Sequence, residues 1–132
     1  MSYIGILVSA IASMIIGSLW YGPLFGKQWL KLSNFTKQQI ADGKKRMSAK
    51  LYFLGFLASL LTAYVLGGLM GALRTGTIKG ALLLGSLVWL GFYVTTLSGS
   101  VLWEGKPFKL YLINIVYWLV TILSFSAILF YL

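Results

Sequence analysis

GALLLGSLVWLGFYVTTLSGSVLW, residues 80–103, is a run of 24 positions without a charged side chain. A helix rises about 1.5 Å per residue, so about 20 apolar residues cross roughly 30 Å of hydrocarbon. A strand of a membrane barrel would need only about ten residues, with apolar and polar positions alternating. The segment LLLGSLVWLGF does not alternate. Outward from this stretch, residues 1–26, 51–73 and 110–132 are equally free of charge, over 26, 23 and 23 positions. All 13 charges of the 132-residue chain fall between these four windows. The chain is 59% hydrophobic and 10% charged, whereas a soluble domain is about 25% charged. A water-exposed surface cannot be built from this inventory.

The predicted fold is therefore all-α, a four-transmembrane-helix antiparallel bundle forming one domain over 1–132. The spans are expected at about 3–22, 49–72, 78–102 and 107–131, with a cytoplasmic loop and a short helix over 23–48. A secretory signal peptide opens with cations ahead of its apolar run. Here the first cation, Lys27, follows it, so the first window is expected to stay as a span.

Cations of short loops collect on the cytoplasmic side. Lys27, Lys31, Lys37, Lys44, Lys45, Arg46 and Lys50 lie between the first two spans, and Lys106 and Lys109 flank the last turn. Only Arg74 and Lys79 lie on the other side. Both termini are thus expected on the non-cytoplasmic side of a cell membrane. Trp20, Tyr21, Tyr52, Trp103 and Tyr111 are expected at the cytoplasmic interface, and Tyr3 and Tyr131 at the outer one, because an amphipathic ring settles at headgroup level. Trp29, Leu30, Leu32 and Phe35 alternate with lysines, a mixture suited to an anionic leaflet. The headgroup contacts are expected from Lys37, Lys44, Lys45, Arg46 and Lys50. Thr36 followed by Gln39 has the form of a capping box. Gly22-Pro23 should end the first helix, and Pro107 should fit the first turn of the last.

Close packing of helices in lipid depends on small residues, because apolar burial gives little drive there. Gly5, Ser9, Ser13 and Gly17 recur every fourth position of the first span, and Gly55, Ser59, Ala63, Gly67 and Gly71 do so in the second. Both stripes are expected to face other helices. GSLWYGP at 17–23 and GSVLWEGKP at 99–107 form a short echo, as a duplicated helical hairpin with a twofold axis along the membrane normal would leave. Trp89 and Trp118, away from the interfaces, are expected to fill the core.

Polar residues gather in the last two spans. Asn114, Tyr117, Trp118 and Thr121 share one helical face. Counting from the common turn sets Asn114 level with Ser98–Ser100. Glu104 precedes the last helix, where a carboxylate is favoured by the positive helix end and can pair with Lys106 or Lys109. The candidate functional cluster is Trp20, Tyr21, Pro23, Lys27, Thr96, Ser100, Glu104, Lys106, Asn114 and Tyr117.

The chain has neither cysteine nor histidine and only two acids. Thiolate chemistry is excluded, and most acid–base and metal chemistry has no side chains to use. No enzyme activity, cofactor, metal or nucleic-acid partner is expected. The expected partners are anionic membrane lipids and further copies of the chain.

SLWYGPLFGKQWL (18–30), VWLGFYVTTL (88–97) and LWEGKPFKLYLINIVYWLV (102–120) resemble the domain of unknown function 1761 family of small bacterial and fungal multi-pass membrane proteins. The resemblance spans essentially the whole chain. It implies a multi-pass membrane protein and supplies no reaction, cofactor or site. Two functional readings follow. One is a small oligomeric module that binds or passes a small solute or ion; the other is a structural or accessory protein that contacts partner proteins or anionic lipid.

Overall fold

The computed structural model describes residues 2–46 and 49–132, with side chains at all of these except residues 44–46. Six helices follow one another: α1 (Tyr3–Leu24), α2 (Gly26–Ser33), α3 (Lys37–Arg46), α4 (Ala49–Ala72), α5 (Ile78–Leu102) and α6 (Phe108–Tyr131). The described residues contain no strand. Helices α1, α4, α5 and α6 are each long and apolar enough to cross a bilayer.

Most of the fully buried positions hold small residues, with Ile122 and Phe125 filling the space between them. Ala10, Ala63, Ala81, Ser9, Thr121 and Ser126 are fully buried. Large aliphatic residues point outward at helical spacing, as with Leu7, Ile11 and Ile15 on α1 and Leu57, Leu61, Val65 and Leu69 on α4. Lipid solvates leucine as well as a protein interior does, so inward positions go to residues that let backbones approach. A water-soluble bundle would place them the other way round.

The spans run antiparallel to their neighbours. A methyl group on Gly5 would lie 3.5 Å from Leu129 and Leu132 of α6, and one on Gly17 would lie 3.3 Å from the Tyr117 hydroxyl. The start of α1 therefore meets the end of α6. Ser13 and Ser59 exchange a hydrogen bond of 2.8 Å, and Gly55 faces Met14, which runs α4 back along α1. Helices α1 and α6 form the central pair; α4 packs on α1 and α5 on α6. The α4–α5 neighbours touch least, leaving a cleft of about 370 Å³ between them, floored by Ile122 and walled by Leu61, Val65 and Phe92. Both termini lie at one end with the Arg74–Thr77 turn. Lys27, Lys31, Lys37, Lys50, Lys106 and Lys109 belong to segments at the opposite end.

The two small-residue stripes do not behave as single surfaces. Gly5, Ser9 and Ser13 are buried, with Gly5 against α6 and Ser13 against α4. On α4, Ala63 and Gly67 are buried, whereas Gly71 is exposed with nothing within 4 Å of an added Cβ. Gly71 borders an open hollow beside Leu129 and Phe130, so spacing alone overextends that stripe by a turn.

Helix α1 does not stop at Gly22-Pro23; it continues to Leu24 by widening. Pro23 offers no N–H, and a proline ring crowds the carbonyl four residues earlier. The chain takes a π turn over Trp20–Leu24, closed by the Phe25 N–H donating to Trp20 O at 2.8 Å. A second π segment, Trp89–Val94, interrupts α5. At the last turn Pro107 is the cap residue before α6, with ψ 140°, rather than its first helical residue. Gly105 reverses the chain there with φ +67°, a conformation that costs a residue bearing Cβ about 1–2 kcal/mol. The capping box closes reciprocally: the Gln39 N–H donates to Thr36 Oγ1 at 3.1 Å and the Thr36 N–H donates to Gln39 Oε1 at 2.8 Å. From that start α3 runs through Gly43 to Arg46.

Candidate functional site

The widened turn of α1 swings two aromatic side chains toward α6. Trp20 Nε1 donates to Ile113 O at 3.0 Å, and the Tyr21 hydroxyl donates to Asn114 Oδ1 at 2.7 Å. The second π segment does the same from the other flank, with Trp89 Nε1 donating to Ile115 O at 2.6 Å. Thus two tryptophans, each at the start of a π turn, grip carbonyls two residues apart on one helix. Single π turns recur at functional positions because they re-aim side chains without ending the helix. The opening of α6 answers with Tyr111, whose hydroxyl donates to Val94 O at 2.6 Å.

These residues anchor a chain of rings across the bundle. Phe35, Trp29, Tyr21, Tyr117, Trp118 and Tyr93 follow one another with centroid separations of 5.5, 5.7, 5.1, 5.0 and 4.8 Å. Tilted and edge-on aromatic pairs at such distances add about 0.5–1.5 kcal/mol each beyond their burial. The row links the α2–α3 junction to α1, α6 and α5.

Beside the row, Ser13, Met14, Gly17, Ser18, Tyr21, Gly22, Tyr52 and Tyr117 line a cleft of about 440 Å³ between α1, α4 and α6. Five of these eight residues carry a hydroxyl. Gly17 leaves room for the Tyr117 hydroxyl, and Asn114 stands behind Tyr21. Among the described residues the amide nitrogen of Asn114 has no hydrogen-bond partner. Further along the seam, Ser9 Oγ and Thr121 Oγ1 are buried without one.

Of the cluster proposed from sequence, Trp20, Tyr21, Asn114 and Tyr117 come together, and Pro23 acts by widening the turn that presents them. Thr96 is exposed on α5, and Lys27, Glu104 and Lys106 are exposed at the basic end. Ser98 and Ser100 turn their hydroxyls back onto Thr95 O and Leu97 O. The side-chain partner of Asn114 is Tyr21 on α1. Among the described residues no ion pair joins Glu104 to Lys106 or Lys109. Tyr111 is buried, with its hydroxyl turned inward onto Val94 O. Trp103, in the second copy of the sequence echo, is 87% exposed, and the tryptophan that bonds α6 as Trp20 does is Trp89. Trp89 and Trp118 are half-buried on the flanks of α6 rather than central. Gly26 and Gly85, which hold two of the closest approaches, stand in no stripe as long as those of α1 and α4 and were not singled out.

The Tyr21–Asn114 bond carries a direct prediction. Interhelical bonds of this type contribute about 0.6–2 kcal/mol. Tyr21→Phe and Asn114→Leu should each destabilise the bundle by that amount, and the double variant by little more than either alone. Steric-trapping unfolding in bicelles measures it; additive losses would mean that the two side chains act separately.

Four apolar helices, packed through small and hydroxyl residues around a hydrogen-bonding cleft, define a small multi-pass membrane protein. The chain matches the family described as Protein of unknown function (DUF1761) over residues 4–130, and it belongs to that family. No curated protein and no solved structure matches it.

Proposed function

We propose that this chain is a membrane-embedded binding module, which admits a small solute with a hydrogen-bonding head into the cleft between α1, α4 and α6. The observation that carries this reading is the lining: five hydroxyl-bearing residues, Ser13, Ser18, Tyr21, Tyr52 and Tyr117, border one cleft from three helices in an otherwise apolar setting. Polar groups in hydrocarbon must find partners, and a site built from them rewards a ligand that supplies those partners. Binding is favoured over conduction by a single chain, because the α1–α6 seam closes at Ser9, Ala10 and Thr121, all fully buried. The hydroxyl and amide inventory suits recognition rather than catalysis.

In this reading the basic end faces the cytoplasm and both termini face outward, following the distribution of cations. Gly68 and Gly71 on α4 meet nothing within 4 Å, which supports self-association along that helix.

Thermal-shift screening of the purified protein against a panel of bilayer-soluble alcohols, phenols, amides and ketones tests the cleft. A stabilising compound is expected, and Ser18→Phe, which fills the cleft from an exposed position, should weaken it at least tenfold. Leu83→Phe, on the lipid-facing side of α5, should not. Equal binding by Ser18→Phe, or no stabilising compound in the panel, would remove this reading.

A further inference from the structure

We infer that the basic end carries a second site, independent of the cleft: a seat for the phosphate of an anionic phospholipid, formed by Lys31, Lys106 and Lys109. Two adjoining hollows meet at Lys31 and Leu32. One, of about 410 Å³, lies between α2 and the first turns of α6 and is lined by Gln28, Lys31, Leu32, Lys109, Leu112 and Ile113. The other, of about 500 Å³, reaches Asn34 on one side and Gly105, Lys106 and Pro107 on the other. Helix α2 brings Lys31 to the last turn because Gly26 lets it fold back tightly after the π turn. Gly105, at φ +67°, brings Lys106 round toward it. All three lysines are exposed, and among the described residues none is paired with an acid. Three unpaired cations around one pair of hollows favour an anion there. The walls choose its source. Leu32 of α2 borders the cationic rim, and exposed Leu112 continues from it along the membrane-spanning α6 with Ile113 buried behind, where a soluble phosphate has nothing to contact and an acyl chain does. Gln28 and Asn34 offer neutral hydrogen bonds at the rim.

This assignment differs from the headgroup contacts expected of Lys37, Lys44, Lys45, Arg46 and Lys50, which lie on and around α3 rather than at the α2–α6 junction. A basic residue near an anionic leaflet strengthens association about fivefold, so three acting together give on the order of 100-fold.

Native mass spectrometry of protein released from nanodiscs containing equal phosphatidylglycerol and phosphatidylcholine tests the site. The wild-type chain should retain phosphatidylglycerol selectively. The K31Q/K106Q/K109Q variant should lose at least tenfold more of that retention than K37Q/K45Q/K50Q, in which the same charge is removed. Helical content by circular dichroism checks that both variants fold. Equal losses in the two variants, or equal retention of phosphatidylcholine by the wild type, would overturn the assignment. Displacement of the lipid by millimolar inorganic phosphate would transfer the site to a soluble anion and overturn it as well.

Discussion

Gly26→Ala should detach α2 from the bundle. A Cβ at this position would lie 2.5 Å from the carbonyl oxygen of Tyr21 and 3.1 Å from its carbon. Both are backbone atoms within the π turn, so no rotamer change relieves the overlap. Either the turn reverts toward ordinary helix, where Pro23 opposes it, or α2 swings away. Overpacking a tight site typically costs about 1–3 kcal/mol, and a clash with backbone belongs at the upper end. The consequences should spread along the chain of rings, because Trp29 rides on α2 and packs against Tyr21 at 5.7 Å. Hydrogen exchange of residues 26–33 in detergent should accelerate at least tenfold in Gly26→Ala, with α5 unchanged. Unaltered exchange would mean that the turn is more accommodating than its geometry implies. Gly22→Ala, where an added Cβ meets nothing within 4 Å, is the matched control.

The second large effect is expected at Gly85. A Cβ there would overlap Ser126 Oγ and lie 3.3 Å from Ser126 Cβ and 3.4 Å from Ile122 Cγ2. Ser126 is fully buried and donates to Ile122 O at 2.9 Å. Gly85→Ala forces that hydroxyl out of its bond, at about 1–3 kcal/mol. Gly85→Leu should separate α5 from α6 altogether. The cause can be isolated because the clashing atom is removable: Ser126→Ala added to Gly85→Ala should recover most of the loss. Steric-trapping unfolding of the four species of this cycle measures the coupling. Strict additivity would show that Ser126 is not what Gly85 accommodates.

What the sequence makes legible, and what it hides, follows from how each feature is encoded. Span number and approximate placement are written in the absence of charge, which hydrocarbon demands of every residue in a window. Ser9 and Ser13 on α1 were readable for a similar reason, since close approach imposes a four-residue period. Gly26 and Gly85 were not. Each has a small residue only one turn before it, Gly22 or Ala81, and what makes it tight is a local neighbour, the Tyr21 carbonyl or the Ser126 side chain, which a period of two does not announce. The continuation of α1 past Pro23 was hidden because proline removes one hydrogen bond while the chain supplies a wider one from Phe25. Asn114 was recognisable as a polar group in need of a partner. That its partner is Tyr21 rather than a serine of α5 depends on α1 and α6 forming the central pair, which loop lengths do not dictate. Both Tyr111 and Tyr21 carry hydroxyls that a belt assignment sends outward. Both turn inward because an acceptor lies within reach.

All of these readings rest on four helices crossing a bilayer in alternating directions. The chain contains no cysteine, so each introduced cysteine is a sole reporter. Single substitutions at Ser2, Asn34, Gly76, Lys106 and Leu132, probed with a membrane-impermeant maleimide on intact cells and on lysed cells, give the most direct measurement. Labelling on intact cells is expected at positions 2, 76 and 132, with positions 34 and 106 reacting only after lysis. Any two successive positions in this series reacting from the same face would contradict the four-span bundle.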